Sequence, residues 1–494
     1  MKFKIILLSF ILFLSASRAF SYYDFNDRLQ QAYLQIIRLK FEEGARLLDQ
    51  EQQQNPSNKL TFLYRSYIDF LRAFISEETS AFESFNKNFK SRLSQQEEAG
   101  SPFSLYARSE LMLQDAMLKI KFHEFISAAW EIKKAYTTIE KNSKQFPSFI
   151  LNKKISGLLH VMVGAVPDNY RWLIRLAGME GTIPQGTNEL AECMRAVEGT
   201  SFSVYREEIL FYMGSINNSF SVDDFSNLPL TKQMKACYAQ NYLIRYCYSN
   251  LLLKAGQNEE ALKVMGDSSS SEGSFPFYFL CYKRGIAKLR KLDLTAENDF
   301  HDFINRFHGL NYVRSAYQKL AWIYLLKGDE KKCIEYLEWC RKSTGDFVDE
   351  DKEALSEASH SEIPNQLLLR SRLFFDGGYY QQALAEIAGK GLQNFPRFKD
   401  QLEVTYRFAR ILHKLNQPDK AIEYFEQTLK NGKSSAYYFS ANAALILGNI
   451  YEEKNDFEKA RQYYLECLSL RHHEYQNSID QKAEAGLERL NVKK

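Results

Sequence analysis

One short motif recurs through the second half of this 494-residue sequence and constrains its fold more than any other feature. Each copy is a helix end, a polar turn and a small residue that opens the next helix. The small residues of the five copies are Ala261, Cys333, Ala383, Ala421 and Ala460. A large apolar or aromatic residue follows four positions later, at Met265, Leu337, Ile387, Phe425 and Tyr464. Since residues four apart share a helix face, the pattern predicts helical hairpins stacked as a solenoid.

The spacing of the copies predicts one insertion. Including Ala296, most neighbouring small residues lie 35 to 39 positions apart, close to the ~34 of an undisturbed helical-hairpin repeat. The interval from Cys333 to Ala383 is 50 residues. The excess coincides with an acidic, serine-rich stretch at residues 343–362, which we interpret as an acidic insertion into one repeat.

The clearest copies also carry a leucine or phenylalanine and a small residue in the first helix, with a large residue three or four positions later. These positions are Leu447, Gly448 and Tyr451; Phe408, Ala409 and Leu412; and Leu320, Ala321 and Tyr324. The pattern resembles the tetratricopeptide repeat over roughly Ala296 to Leu468. The resemblance implies an all-α solenoid or superhelix of helical hairpins, whose concave groove binds a partner.

A glycine- and proline-punctuated segment precedes the repeats. It loosely resembles part of the tetratricopeptide repeat protein 39 and inclusion-clearance family at Gly157, Pro167, Leu173, Gly178, Gly181, Gly186 and Leu190. No strand signal and no GxGxxG or GxxxxGK motif accompanies these glycines, so we expect tight turns and close helix packing rather than a phosphate site. The resemblance supports an all-helical architecture only.

The amino terminus indicates export. Lys2 and Lys4 precede the apolar run IILLSFILFL, and Ser17 to Ala19 offer small residues for cleavage. This pattern is typical of a secretory signal peptide, and the apolar run is too short to span a bilayer. We therefore expect cleavage after Ala19 and a periplasmic or extracellular protein.

Charge argues against nucleic acid as a partner. Removal of Lys2, Lys4 and Arg18 lowers the formal charge from +3 to 0. A protein without net positive charge lacks the electrostatic attraction on which nucleic-acid binding depends. We expect the KKIS segment near Lys153 to lie on the solvated side of a helix. Charge likewise gives no support for membrane association, which stays open.

No constellation of catalytic or metal-binding residues is recognisable. The seven cysteines are odd in number and lack CxxC spacing, so we expect most to be small core residues, with one distant disulfide left open. The eight histidines show no HExxH spacing, and no serine lies in a GxSxG motif. We expect a protein that is not an enzyme and that binds no cofactor or metal.

The repeat frame predicts which side chains face the groove. These are Gln318, Trp322, Arg372, Tyr406, Arg410, His413 and Asn449. Arginine gives bidentate, charge-assisted hydrogen bonds, so Arg372 and Arg410 suit a peptide carboxylate or an acidic segment. Trp322 could receive an apolar side chain. The alternative is that these arginines only pair with local glutamates on a wet surface.

We therefore predict an exported scaffold that binds a protein or peptide segment in the groove of a helical repeat array. Two alternatives remain open: a helical-hairpin enzyme or carbohydrate-handling protein of the cell envelope, and a peripheral membrane adaptor that attaches through apolar helices around residues 156–166. The predicted segments are a signal peptide at 1–19, helical hairpins at 20–147, an irregular helical segment at 148–230, tetratricopeptide-like repeats at 231–342, the insertion at 343–362, and further repeats at 363–494.

Overall fold

The computed structural model describes residues 22–96, 100–166, 171–220, 228–266, 273–345, 347–359 and 363–492. Over these ranges the regular elements are twenty-five α-helices and three short 3-10 helices, without a β-strand, which confirms the all-α prediction. No helix in the same ranges is long and apolar enough to cross a membrane. The predicted signal peptide, Pro167 and residues 346 and 360–362 of the predicted insertion lie outside the described residues.

The chain divides into two compact units. The first unit comprises the described residues of Met1–Leu251, Val264–Leu280 and Asn305–Leu310. The second unit comprises the described residues of Leu252–Lys263, Cys281–Ile304 and Asn311–Lys494. The segments predicted from the sequence divide the chain more finely, and their boundaries stay predictions.

Twelve helices cover the chain from its first described residues to the first repeat turn. They are α1 (Asp27–Ile37), α2 (Phe41–Gln54), α3 (Leu60–Ser76), α4 (Thr79–Ser94), α5 (Pro102–Lys121), α6 (Phe125–Gln145), α7 (Asn152–Gly164), α8 (Arg171–Ala177), α9 (Ile183–Ala196), α10 (Arg206–Phe220), α11 (Leu228–Cys237) and α12 (Tyr242–Lys254). Short 3-10 helices occupy Ser201–Tyr205 and Tyr238–Gln240.

Thirteen helices follow the first repeat turn. They are α13 (Asn258–Gly266), α14 (Phe279–Arg290), α15 (Ala296–Arg306), α16 (Val313–Leu326), α17 (Glu330–Lys342), α18 (Asp349–Ser359), α19 (Gln366–Asp376), α20 (Tyr380–Ile387), α21 (Phe398–Lys414), α22 (Pro418–Gly432), α23 (Phe439–Glu453), α24 (Phe457–Ser469) and α25 (Gln476–Val492). A 3-10 helix occupies Leu392–Asn394. Four pairs, α16 with α17, α19 with α20, α21 with α22 and α23 with α24, pack as hairpins.

The recurring motif is a Schellman turn, in which a residue with positive φ ends the first helix of each hairpin. The residues with positive φ are Gly256, Gly328, Gly378, Asn416 and Asn455, each five positions before the small residue of its copy. In the last copy, the Asp456 amide donates to the Tyr451 carbonyl over 2.9 Å and the Asn455 amide to Glu452 over 3.0 Å. The other copies repeat both bonds. Glycine and asparagine recur because they tolerate this backbone conformation.

The small residues lie at the closest contacts between helices. Ala261, Cys333, Ala383, Ala421 and Ala460 are all inaccessible to solvent. Ala421 and Ala460 belong to one hydrophobic cluster with Phe425, Tyr464 and Leu447. The prediction that small side chains let neighbouring helices nest together is therefore confirmed.

The first unit contains the same turn, but without glycine or asparagine at the residue with positive φ. Leu39 and His123 adopt positive φ, and Gly44 and Ala128 follow each of them by five positions. The Lys40 amide donates to the Gln35 carbonyl over 2.9 Å and the Glu124 amide to Lys119 over 2.7 Å, as in the repeat turns. Leucine and histidine replace the usual glycine or asparagine, so these copies lack the signal that identified the others.

The glycine-rich segment brings α7 and α9 into close backbone contact. A Cβ built on Gly186 would lie 2.2 Å from the Gly157 carbonyl oxygen, and one on Gly181 would lie 2.7 Å from the His160 Cα. Gly178 has a φ of +64° in the turn before α9. The expectation of tight turns and close packing is confirmed. The resemblance to the inclusion-clearance family stays a prediction.

The core of the first unit contains a buried charged cluster centred on Lys154 of α7. Its Nζ donates to Glu208 over 2.7 Å, to Glu110 over 3.0 Å and to the Tyr67 hydroxyl over 2.9 Å. Burial raises the pKa of the Glu110 carboxyl, against the opposing effect of the Lys154 ammonium. The expected solvated face is correct for Lys153, which is exposed beside Glu192, and wrong for Lys154.

All seven cysteines are described, and all are free thiols. Five of them, Cys193, Cys247, Cys333, Cys340 and Cys467, are buried, as expected for small core residues. Burial raises the pKa of each of these five thiols, to about 11 for Cys193 and Cys333 and about 12 for the others.

Candidate functional site

A cavity of about 680 Å³ in the second unit is the candidate binding site. Side chains of α16, α18, α19 and α21 line it, together with residues 435–439 and 474–475. The volume lies within the ~300 to 1,000 Å³ of typical ligand pockets.

Three of the seven predicted groove residues line this cavity, namely Gln318, Trp322 and Arg372. The remaining four, Tyr406, Arg410, His413 and Asn449, are not among its lining residues. The structure therefore does not gather the predicted set around one cavity. Whether any of the seven contacts a partner stays a prediction.

Helix α18 covers the first two predicted positions. Glu357 accepts hydrogen bonds from the Gln318 side-chain amide over 3.0 Å and from the Trp322 indole N–H over 2.5 Å. The Trp322 ring also lies 3.8 Å from the Lys319 Nζ and 4.3 Å from the Arg372 guanidinium carbon. The indole is thus enclosed by charged groups and does not offer an open face to an apolar side chain.

Arg372 differs from the other arginines of the cavity. Arg397 donates to Asp400 over 2.8 Å, and Arg407 donates to Glu403 over 2.7 Å. Among the described residues, Arg372 stacks on Trp322 without a hydrogen bond or ion pair to a carboxylate. Lys399 is similar, since its Nζ lies 5.3 Å above the Tyr437 ring. Two cations of the lining are therefore available to an incoming anion.

Carboxylates and aromatic rings complete the wall. Burial raises the pKa of Glu353 of α18, although Lys319 and Arg372 oppose that shift. Burial also lowers the pKa of the Lys319 ammonium to about 8. Phe398 and Tyr475 line the cavity and are about half exposed. The site therefore combines available cations, a partly desolvated acidic wall and accessible aromatic surface.

The other predicted residues contribute to packing between repeats. Tyr406 is buried, and its hydroxyl accepts hydrogen bonds from Arg410 over 2.9 Å and from Asn442 over 2.6 Å. The Arg410 guanidinium carbon lies 4.7 Å from the Phe375 ring. Asn449 accepts from the Tyr464 hydroxyl over 2.7 Å. Burial lowers the pKa of His413. The Tyr406–Asn442 and Arg410–Phe375 contacts join neighbouring hairpins, whereas the Asn449–Tyr464 contact lies within the hairpin of α23 and α24.

The place of α18 in the cavity wall is not predicted from the sequence. The sequence predicts only an acidic insertion at residues 343–362, whereas Asp349–Ser359 forms α18 and packs on α16 and α17. Asp351 anchors it, because the amides of Ser315 and Tyr312 donate to its carboxylate over 2.9 and 2.6 Å. Ala354 and Ala358 are buried and lie four residues apart. This spacing is the sequence signal that could have predicted a helix here.

Antiparallel helix pairs joined by one recurrent turn define a helical-repeat protein, a class that builds extended binding surfaces. Two family models for the tetratricopeptide repeat match the chain, at residues 315–340 and 400–471. The chain therefore contains tetratricopeptide repeats at these two segments, where the predicted resemblance is confirmed. Such repeats generally form protein-interaction scaffolds without catalytic activity. This agrees with the prediction of a scaffold that binds a protein.

Comparison with solved structures gives matches of low identity. The anaphase-promoting complex hetero-tetramer Cut9-Hcn1 is 11% identical, with 96% of this chain and 98% of that chain covered and a TM-score of 0.26. The P58(IPK) TPR domain is 12% identical, with 83% and 94% covered and a TM-score of 0.22. A monomeric IFIT1 mutant with Gppp-AAAA is 12% identical, with 95% and 96% covered and a TM-score of 0.29.

Matches with TM-scores this low support no inference about this protein. A search of curated protein sequences finds no significant match.

Proposed function

We propose that the second unit binds an acidic protein segment in the cavity beside α18, with a carboxylate of that segment held by Arg372. The contacts of the Arg372 guanidinium support this most directly. It stacks on Trp322, whereas the guanidinium groups of Arg397 and Arg407 are paired with carboxylates. A guanidinium held in place in this way can donate two hydrogen bonds to a carboxylate with little loss of side-chain freedom.

The rest of the lining suits a segment that also carries an apolar side chain. Phe398 and Tyr475 offer half-exposed aromatic surface within the same cavity. Lys399 supplies a second cation, and the acidic side chains Glu353 and Glu474 stand in the same wall. Acidic residues of a partner are therefore expected near Arg372 and Lys399, with an aromatic or aliphatic residue beside them.

The test is selection of random peptides on the purified protein, followed by measurement of Kd for the selected peptides by fluorescence anisotropy. We expect enrichment of acidic peptides, and the variant Arg372→Gln should weaken their binding about tenfold, the loss of roughly one charge-assisted interaction. The matched control is Arg341→Gln on α17, where the arginine is exposed and pairs with Glu338 outside the cavity.

Unchanged affinity of Arg372→Gln, with the fold intact by circular dichroism, would remove Arg372 from the site. Selection of peptides without acidic residues would contradict the proposed chemistry. Arg410→Ala is a poor probe, because Arg410 contacts Phe375 and Tyr406 and its loss is expected to weaken packing between repeats.

We further propose that the protein is exported before it binds its partner. The basic start, the ten-residue apolar run and the small residues up to Ala19 support this. Expression of the full chain followed by fractionation and amino-terminal sequencing tests it. A mature protein that begins at Phe20 is expected, and an uncleaved chain retained in the cytoplasm would refute the proposal.

A further inference from the structure

We infer that α6 and α8 of the first unit form a peripheral contact surface for an anionic lipid membrane. The surface is defined by Ile126, Trp130 and Lys133 of α6 together with Trp172, Arg175 and Leu176 of α8; it is called the α6–α8 surface below. It is separate from the proposed peptide-binding cavity, which the second unit contains.

Large apolar side chains are concentrated on this surface. Ile126, Trp130, Trp172 and Leu176 are each more than half exposed. Two of the four tryptophans of the chain are among them. On each helix the two residues are four positions apart and therefore share one face. Paired exposed apolar groups indicate a contact surface, because single exposed residues are ordinary but clusters are costly in water.

The two helices belong to one packed arrangement. Helix α8 packs against α6, and the Tyr136 hydroxyl of α6 donates over 3.1 Å to the backbone carbonyl of Glu180, three residues beyond the end of α8. We take the exposed side chains of these two adjacent helices to contact the same planar partner.

Charge identifies the partner as an anionic lipid surface rather than a second apolar protein face. Helix α8 has the sequence RWLIRLA, with basic but no acidic residues. Arg175 is exposed beside Leu176 on this helix, and on α6 the Lys133 Nζ lies 5.8 Å from the Trp130 ring. Helix α6 contains two carboxylates: Glu131 is buried and pairs with Lys134 over 2.7 Å, and Glu140 lies seven residues beyond Lys133. Helix α8 contains none, and Glu180 lies three residues beyond its end.

Tryptophan and leucine side chains insert at the headgroup boundary of a membrane. Arginine and lysine beside them extend their charged groups to the lipid phosphates. Cations close to the membrane are attracted to an anionic leaflet, so Arg175 and Lys133 should add to the binding. This contact differs from the one that the sequence suggested, since Leu158, Leu159, Val161 and Val163 of α7 are buried in the core.

The experiment is co-sedimentation of the purified protein with vesicles of phosphatidylcholine alone or of phosphatidylcholine mixed with phosphatidylglycerol. We expect binding to the mixed vesicles and much weaker binding to phosphatidylcholine alone. The double variant Trp172→Ser/Leu176→Ser should reduce partitioning at least about tenfold, because it removes two apolar side chains from the contact. Arg175→Gln should reduce it only on the anionic vesicles.

Trp339→Ser is the matched control, since Trp339 is exposed to the same extent on α17 of the second unit. It should bind vesicles like the wild type. Three results would overturn the inference: no binding to mixed vesicles, equal binding by wild type and double variant, or self-association of the protein that the double variant abolishes. An unchanged unfolding temperature of the double variant shows that loss of binding is not loss of fold.

Discussion

Gly186 and Gly157 join α9 to α7 through direct backbone contact. A Cβ built on Gly186 would lie 2.2 Å from the Gly157 carbonyl oxygen and 2.8 Å from the Val161 amide nitrogen. Both neighbours are backbone atoms inside a helix, so neither can yield by a change of rotamer. The position of α9 in the first unit therefore depends on glycine at this residue.

We predict that Gly186→Ala lowers the free energy of unfolding by about 2 to 4 kcal/mol, because overpacking must separate the two helices. Urea unfolding followed by circular dichroism measures the change. Gly266→Ala is the control, since nothing lies within 4 Å of a Cβ built there and its φ is not positive. Equal stability of both variants would show that α7 and α9 do not approach so closely.

Lys154→Met should lower the free energy of unfolding by about 3 to 5 kcal/mol, because removal of one partner leaves the buried carboxylates Glu110 and Glu208 without their cation. Chemical denaturation at neutral pH gives the value. The neighbouring Lys153→Met is the control, because Lys153 is exposed and forms only a surface ion pair with Glu192. A loss no larger than that of the control would contradict the buried cluster.

Asp351 should make the stability of the second unit pH-dependent. Burial raises the pKa of its carboxyl to about 6, from an ordinary value of 3.8, although the amides of Ser315 and Tyr312 oppose the shift. Since the folded protein holds this proton more tightly than the unfolded chain, the associated stability is present below the ordinary pKa and is lost as pH rises through about 6.

The measurement compares wild type with Asp351→Asn by urea unfolding from pH 4 to pH 7.5. The free energy of unfolding of the wild type, relative to the variant, should decrease over that interval. A difference between the two proteins that is constant with pH would refute the assignment.

Replacement of a small residue within a repeat should be costly. Ala460→Leu adds volume at a position that is inaccessible to solvent, and we expect a loss of about 1 to 3 kcal/mol in the free energy of unfolding. Glu458→Leu, an exposed position on the same helix α24, adds comparable apolar volume without overpacking. Thermal unfolding should show a lower midpoint for the first variant only.

The repeat turns could be predicted because their signal is local. Gly328, Gly378, Asn416 and Asn455 adopt positive φ within a few residues of the small side chain they precede. The turns at Leu39 and His123 were not predicted, because leucine and histidine do not favour positive φ as strongly as glycine and asparagine and so give no local signal.

The candidate site was only partly predictable. The repeat frame predicted that Gln318, Trp322 and Arg372 face the groove, and all three line the cavity. It could not show that α18 folds back to cover Gln318 and Trp322, since that contact depends on Glu357, 35 residues beyond the tryptophan. The repeat frame likewise could not show that Tyr406 is buried in the core instead of facing a groove.

The sequence by itself determined that this chain is helical, that its hairpins turn at fixed points and that small residues such as Ala421 and Ala460 occupy their closest contacts. These features follow from backbone preference and side-chain spacing within a few residues. Only the tertiary structure decided that Lys154 lies in the core, that α18 forms a wall of the cavity and that Arg372 pairs with no carboxylate of the described residues. Charge pairing and burial join residues far apart in sequence, so they are fixed only when the helices pack.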